Sequence, residues 1–315
     1  SDMLAIDKYC GGACENTGVE INRQMVEHAL NGNFPALNRL QAKPNISLKI
    51  AEGREFLERD RTRYDAILLS WWGAGTSYYV GTTGRLAQYM YTKEALETLS
   101  DHLTARGTVI VFNGSKAQTL ATLRDVYSDR GMTGLPNDVV IVKPSTKASE
   151  SASLGFYDQL EQMRLVWKPS GFSAAEMKLV NATTAAVGYR MILSPGGVDP
   201  EYKIYGALVH DVPLDRLNAE LTQSRGIALN PVTDDQPFLN ELTPRSFYIN
   251  PAKWFAPARD PLWQVTRSLA LSVAILTLLA MVLAFGPLFR KAGPQLTKAN
   301  LVRMGYFAIL GSGFM

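Results

Sequence analysis

The chain has 315 residues, a formal net charge of +3 and an apolar fraction of 46%. So mild a positive charge, with no basic run interleaved with aromatics, excludes nucleic acid as the expected partner. Three histidines and two cysteines have neither the number nor the spacing of a metal site, so no metal is expected.

In chain order, Cys10 and Cys14 come first, four positions apart. A local disulfide is open to them, but two unpaired thiols are the expectation. Thr17 to Ile21 reads as a short strand, and Asn22 as the cap of a helix with Met25, Val26, Ala29 and Leu30 on one face. Pro44-Asn45 breaks the chain before an alternating strand at 46–50, and a short helix at 55–60 carries Phe56 and Leu57 inward. Ala66 to Leu69 is an unbroken apolar run, the pattern of a strand buried on both faces of a helix-covered parallel sheet. Thr92 is expected to cap a helix reaching about Ala105, Thr108 to Phe112 to form a strand, and Ser115 to open a helix reaching about Asp129. Val139 to Val142 makes one more strand. Strands and helices alternating at this pace predict βαβ units, hence an α/β fold with a mostly parallel sheet.

From Lys143 to Leu154 the chain reads as a linker or loop. Beyond it the pattern predicts a strand at 162–167, a helix at 174–181, a strand at 186–193, a loop at 194–200 and a helix near 214–224. The expected organisation is therefore a first region at 1–145, a second α/β lobe at 146–260 that completes the soluble domain, and a transmembrane region at 261–315. Leu269 to Phe289 holds no ionisable side chain in 21 residues. At ~1.5 Å rise per residue this matches a hydrocarbon core of roughly 30 Å, so a membrane helix is expected at about 266–289. A second begins at about 301 and breaks off inside an apolar run, which reads as a fragment of a longer membrane protein.

In parallel sheets ligands sit beyond the carboxyl ends of the strands. Two acids occupy such positions: Glu20, placed to accept the hydroxyls of a ribose, and Glu52 with Gly53, placed where an adenine base would lie. The residues after the apolar strand, Ser70, Trp71, Trp72 and Gly73, stand where chemistry is expected. Rings at Trp71, Trp72, Tyr78, Tyr79, Tyr89 and Tyr91 would either box a cation or pack a loop. The pair Asp234 and Asp235 would receive a polyamine or an arginine, or cap a turn.

Five segments occur in order: Gly-Val-Glu-Ile-Asn at 18–22, Glu-Gly-Arg-Glu-Phe-Leu at 52–57, Arg-Tyr-Asp-Ala-Ile-Leu-Leu at 63–69, Tyr-Met-Tyr-Thr-Lys-Glu-Ala at 89–95 and His-Leu-Thr-Ala-Arg-Gly-Thr at 102–108. Together they resemble the spermidine synthase family. Thr-Asp-Asp-Gln-Pro-Phe at 233–238 and the apolar segment at 305–315 resemble its bacterial multi-pass membrane relatives. The resemblance implies a Rossmann-like, methyltransferase-type fold whose first βα unit, with its glycine-rich turn, would precede Ser1. It implies S-adenosylmethionine or its decarboxylated form as cofactor, held by Glu20, Glu52, Gly53 and Ser70. Trp71, Tyr78, Tyr79, Gln88, Tyr89, Asp234 and Asp235 would face the acceptor.

Active members of that family carry Asp-Ser-x-Asp-Pro after the central strand. Here the two aspartate positions are Ser70 and Gly73. A serine cannot take a proton from an ammonium near neutral pH without a base beside it. The implied function is a membrane-anchored aminopropyl or methyl transferase of weakened activity. The alternative is a noncatalytic nucleoside- or polyamine-binding sensor or transporter-associated domain. Expected partners are the bilayer, a small nucleoside and a polyamine, with a homodimer as the oligomer. Positive charges at 290–303 argue against a cytoplasmic soluble region and nucleoside supply argues for one; the cytoplasm is the expectation.

Overall fold

The computed structural model describes residues 2–30, 43–70, 88–112, 114–145, 163–210, 212–239 and 261–292, with a few isolated positions between and after them. The chain divides into two compact units, 1–262 and 263–315.

The first unit opens with α1 (Asp2–Tyr9), β1 (Asn16–Glu20), α2 (Arg23–Leu30) and β2 (Ile46–Ile50), and β1 pairs with β2 in parallel. Asn22 caps α2 by accepting from the Met25 amide at 3.2 Å. The apolar face expected on α2 is only partly used: Val26 is buried, whereas Met25 and Leu30 are exposed. Two strands offer too small a surface to cover a whole helix stripe. Gly18 lets α1 lie close on this pair, since a Cβ there would come within 2.5 Å of Met3 Sδ. The two cysteines expected to be unpaired are joined as a disulfide, their Cα atoms 5.6 Å apart across the turn between α1 and β1.

After α3 (Gly53–Arg59) come β3 (Tyr64–Leu69), a 3-10 turn at Tyr89–Tyr91, α4 (Lys93–Asp101), β4 (Leu103–Val111) and α5 (Lys116–Asp129). Thr92 caps α4 through the Ala95 amide, and Ser115 caps α5 through the Gln118 amide. The helix expected to reach Ala105 stops at Asp101. There the His102 ring bonds the carbonyls of Thr98 and Asp60, and Leu103 already belongs to β4. Then follow α6 (Leu135–Asp138), β5 (Val139–Pro144), β6 (Arg164–Trp167), α7 (Ala174–Ala186), β7 (Tyr189–Ser194), β8 (Gly197–Val198), α8 (Lys203–Val209) and α9 (Leu214–Arg225).

The main sheet runs β3-β4-β6-β5-β7-β8. β3 and β4 are parallel, while every pairing from β4 onward is antiparallel. The sheet is thus mixed, and parallel pairing is confined to the first four strands. The two strands expected in a second lobe, β6 and β7, join this same sheet. The loop expected at 194–200 is a hairpin into β8. Among the described residues the two parallel pairs, β1-β2 and β3-β4, belong to two separate sheets of an α/β fold.

One face of the main sheet is closed by α4, α5 and α8. Leu99, Leu120, Leu123, Val126 and Leu208 are fully buried there against Val109, Ile141 and Leu165. Each such side chain contributes roughly 1.5–3 kcal/mol by leaving water. The expectation of a doubly buried β3 is corrected. Leu69 is buried, Ile67 and Leu68 are half-buried, and Ala66 is exposed. Among the described residues β3 pairs only with β4, so its other edge brings no cover.

In the second unit α10 (Pro261–Ala292) is one continuous helix of 32 residues. Its side chains are described over 267–282, and Leu269, Val273, Ile275, Leu276 and Leu279 are exposed. Among the described residues no helix is long and apolar enough to cross a membrane. The second membrane helix expected from about 301 lies outside the described residues, except for Tyr306.

Candidate functional site

The carboxyl ends of β1 and β2 lie side by side: Glu20 is in register with Ile50, and the Ala51 amide donates to the Glu20 carbonyl at 3.2 Å. Glu20 is half-buried, and its Oε1 accepts the Asn22 amide at 2.8 Å. Glu52 follows β2 and caps α3, its Oε2 accepting the amides of Arg54 and Glu55 at 2.9 Å each. One oxygen of Glu52 is thereby committed to holding the helix terminus, where the helix dipole favours a negative charge. Apolar surface flanks both acids, since Ile21 and Ile50 are exposed beside them.

Gly53 lies against the 3-10 turn, and a Cβ on it would stand 3.3 Å from Met90 Sδ. The structure therefore brings the Glu52–Gly53 turn next to the segment that holds Gln88 and Tyr89. Arg54 extends the same contact. Its Nη1 donates to both oxygens of Asp234, at 2.6 and 2.7 Å, across 180 residues of sequence. Asp234 also accepts from Thr92 Oγ1 at 2.7 Å, and its own amide donates to Glu94 Oε2 at 3.1 Å. The hydrogen bond from Arg54 holds the Asp234 carboxyl below the ordinary carboxylate range, against the opposing effect of burial. Asp234 thus closes a turn onto α3 and α4. Asp235 occupies the tip of that turn, which the Gln236 amide closes on the Thr233 carbonyl at 2.9 Å.

The Gln88 amide donates to the Pro237 carbonyl at 2.6 Å, and Gln118 Nε2 to the Phe238 carbonyl at 3.3 Å. Both glutamines keep a buried side-chain oxygen without a hydrogen-bond partner, as does the Tyr91 hydroxyl. Burial pushes the Tyr91 phenol far up, so it stays protonated. Tyr89 is half-exposed, and its carbonyl accepts from Thr92 Oγ1 at 3.1 Å. Ser70 follows β3 directly and is half-buried, beside the Leu69 carbonyl that accepts the Phe112 amide at 3.2 Å. Trp71, Trp72, Gly73, Tyr78 and Tyr79 lie outside the described residues.

Of the residues singled out by sequence, Glu20 with Glu52 meet at one sheet edge, and Glu52, Gly53, Gln88, Tyr89 and Asp234 meet around the start of α3. Tyr91, expected among the rings, joins this cluster as a buried residue, whereas Arg54 and Gln118 are not singled out by the sequence. Nothing local announces Arg54 as the partner of Asp234, because only the tertiary fold brings them together. Among the described residues no cluster of three or more His, Cys, Asp or Glu could hold a metal.

No protein-family model matches the chain, and no curated protein does. Among solved structures, a probable spermidine synthase from Corynebacterium glutamicum is similar over 65% of this chain and 74% of its own, at 11% identity and a TM-score of 0.36. A likeness that distant carries no argument about mechanism.

Proposed function

We propose that the first unit binds the nucleoside of an adenosyl sulfonium, S-adenosylmethionine or its decarboxylated form, at the carboxyl edge of β1 and β2. The observation that carries this reading is the placement of Glu20 and Glu52 on adjacent parallel strand ends, with Gly53 between them and the acceptor-side segment. A carboxylate at Glu20 accepts two ribose hydroxyls at once. Ile21 and Ile50 supply apolar faces for a planar base. The resemblance of the ordered motifs to spermidine synthases supports the same ligand class.

The activity that follows is transfer of an aminopropyl or methyl group. An acceptor nitrogen attacks the carbon on the sulfonium, the carbon–sulfur bond breaks, and the acceptor gives up a proton. A bilayer anchor at 269–289 belongs to the same proposal, and what supports it is the sequence run of 21 residues without an ionisable side chain. Nucleoside supply favours a cytoplasmic position for the first unit.

A second reading is a noncatalytic nucleoside- or polyamine-binding domain, and Asp234 favours it. Its charge is matched by Arg54, so it is poorly placed to take the acceptor's proton or to hold a polyamine. Ser70 offers no base in its place. The two readings separate when the full-length protein is incubated with either donor and putrescine and the products are weighed by mass spectrometry. An aminopropylated or methylated acceptor establishes transfer. Binding without product establishes the second reading, and absence of binding by both donors and by putrescine removes the two together.

A further inference from the structure

The turn between α1 and β1 is built around the Cys10–Cys14 disulfide. Gly11 and Gly12 take left-handed backbone conformations, at φ 61 and 83°, so the turn is tight; residues 11–13 are exposed and both cysteines half-buried. The Cys14 carbonyl is where the start of the two-stranded layer is tied together. It accepts Asn16 Nδ2 at 3.1 Å and Asn45 Nδ2 at 2.7 Å. Asn45 Nδ2 also donates to the buried Asp7 of α1 at 2.8 Å, and Asp7 is paired with Lys43 at 2.7 Å. The Asn16 amide then opens the strand by donating to the Asn45 carbonyl at 2.8 Å. One carbonyl, fixed by the disulfide, thus joins α1, β1 and the entry to β2. Two-stranded sheets have little stability of their own, so this layer depends on such a tie.

We propose that the Cys10–Cys14 pair is a thiol–disulfide modification site that sets the order of the β1–β2 layer, and with it the position of Glu20 and Glu52. The reductant class is a dithiol. One of its thiolates attacks a protein sulfur, the Cys10–Cys14 bond breaks and a mixed disulfide forms. The second thiol then closes the reductant's own disulfide, and two electrons and two protons end on Cys10 and Cys14. Exposure of the turn gives the reductant access. Disulfides in reducing compartments are characteristically transient and sensing, so a cytoplasmic first unit makes this pair a switch. The effect of reduction on the order of the layer stands whether or not the ligand there is a nucleoside, and its use as a switch rests on the cytoplasmic position proposed above.

The test is hydrogen exchange on the full-length protein, oxidised, then reduced with dithiothreitol, then reoxidised. Reduction is expected to speed amide exchange at 16–20 and 46–50, by at most about thirtyfold for so short a loop, and to leave 103–111 unchanged. Reoxidation restores the original rates. The Cys10→Ser, Cys14→Ser double variant is expected to exchange at the reduced rate and to ignore the reductant. Equal exchange at 16–20 in the oxidised and reduced protein overturns the proposal. Two freely titrating thiols before any reductant is added overturn it equally.

Discussion

Tyr127 is the residue on which the buried polar chemistry of the core turns. Its hydroxyl donates to Asp138 Oδ2 at 2.5 Å and accepts Trp167 Nε1 at 3.0 Å. Burial raises the Asp138 carboxyl above its ordinary value, although the Tyr127 hydrogen bond and Lys168 oppose the rise. Tyr127→Phe leaves two buried polar groups without partners and is expected to cost roughly 2–4 kcal/mol in urea denaturation. Asp138→Asn keeps an acceptor and removes the charge. A raised carboxyl contributes stability at acid pH that is lost as pH rises through its folded value. The Asn variant is therefore expected to match or exceed wild type at neutral pH.

Asp234 has the opposite sign. Arg54 depresses its carboxyl, so its contribution is present above the ordinary carboxylate value and lost as pH falls through the folded one. Both side chains are partly exposed, which limits the worth of the pair. Asp234→Asn is expected to cost about 1 kcal/mol at neutral pH and to flatten the acid-side loss of stability. Melting curves between neutral pH and about pH 3 read both effects.

Among the elements, stability should follow burial. β4 and β5 are covered by α4, α5 and α8, whereas β1 and β2 form a separate pair. Amides of 103–111 and 139–143 are expected to exchange far more slowly than those of 16–20 and 46–50. Comparable rates in both groups would contradict this division. The same contrast explains what the sequence disclosed. Helix caps at Asn22, Thr92 and Ser115 are local chemistry, and the helices start where those residues stand. The run Ala66 to Leu69 was legible as a strand but not as an edge, because composition reports the cover a strand could use and not its neighbours. α8 was not anticipated. Its buried Tyr205 and Leu208 lie in a stretch too short for helical periodicity to show.

For the candidate site, legibility divides along the same line. Acids at strand ends could be marked from sequence, since strand position alone places them. The commitment of Asp234 to Arg54 could not, because it depends on two turns meeting across the fold. Nor could the antiparallel insertion of β6 between β4 and β5, which draws the expected second lobe into one sheet.

At the scale of the whole molecule, the proposed ligand site is the carboxyl edge of β1 and β2. The direct measurement is an equilibrium titration of the full-length protein with S-adenosylmethionine and its decarboxylated form, on wild type and Glu20→Gln. The Gln side chain keeps an oxygen for the Asn22 amide, so the strand end stays capped. Saturable binding of one donor, weakened about ten- to hundredfold by the substitution, is the predicted result. Equal affinity in both proteins, or no saturable binding of either donor, would contradict it.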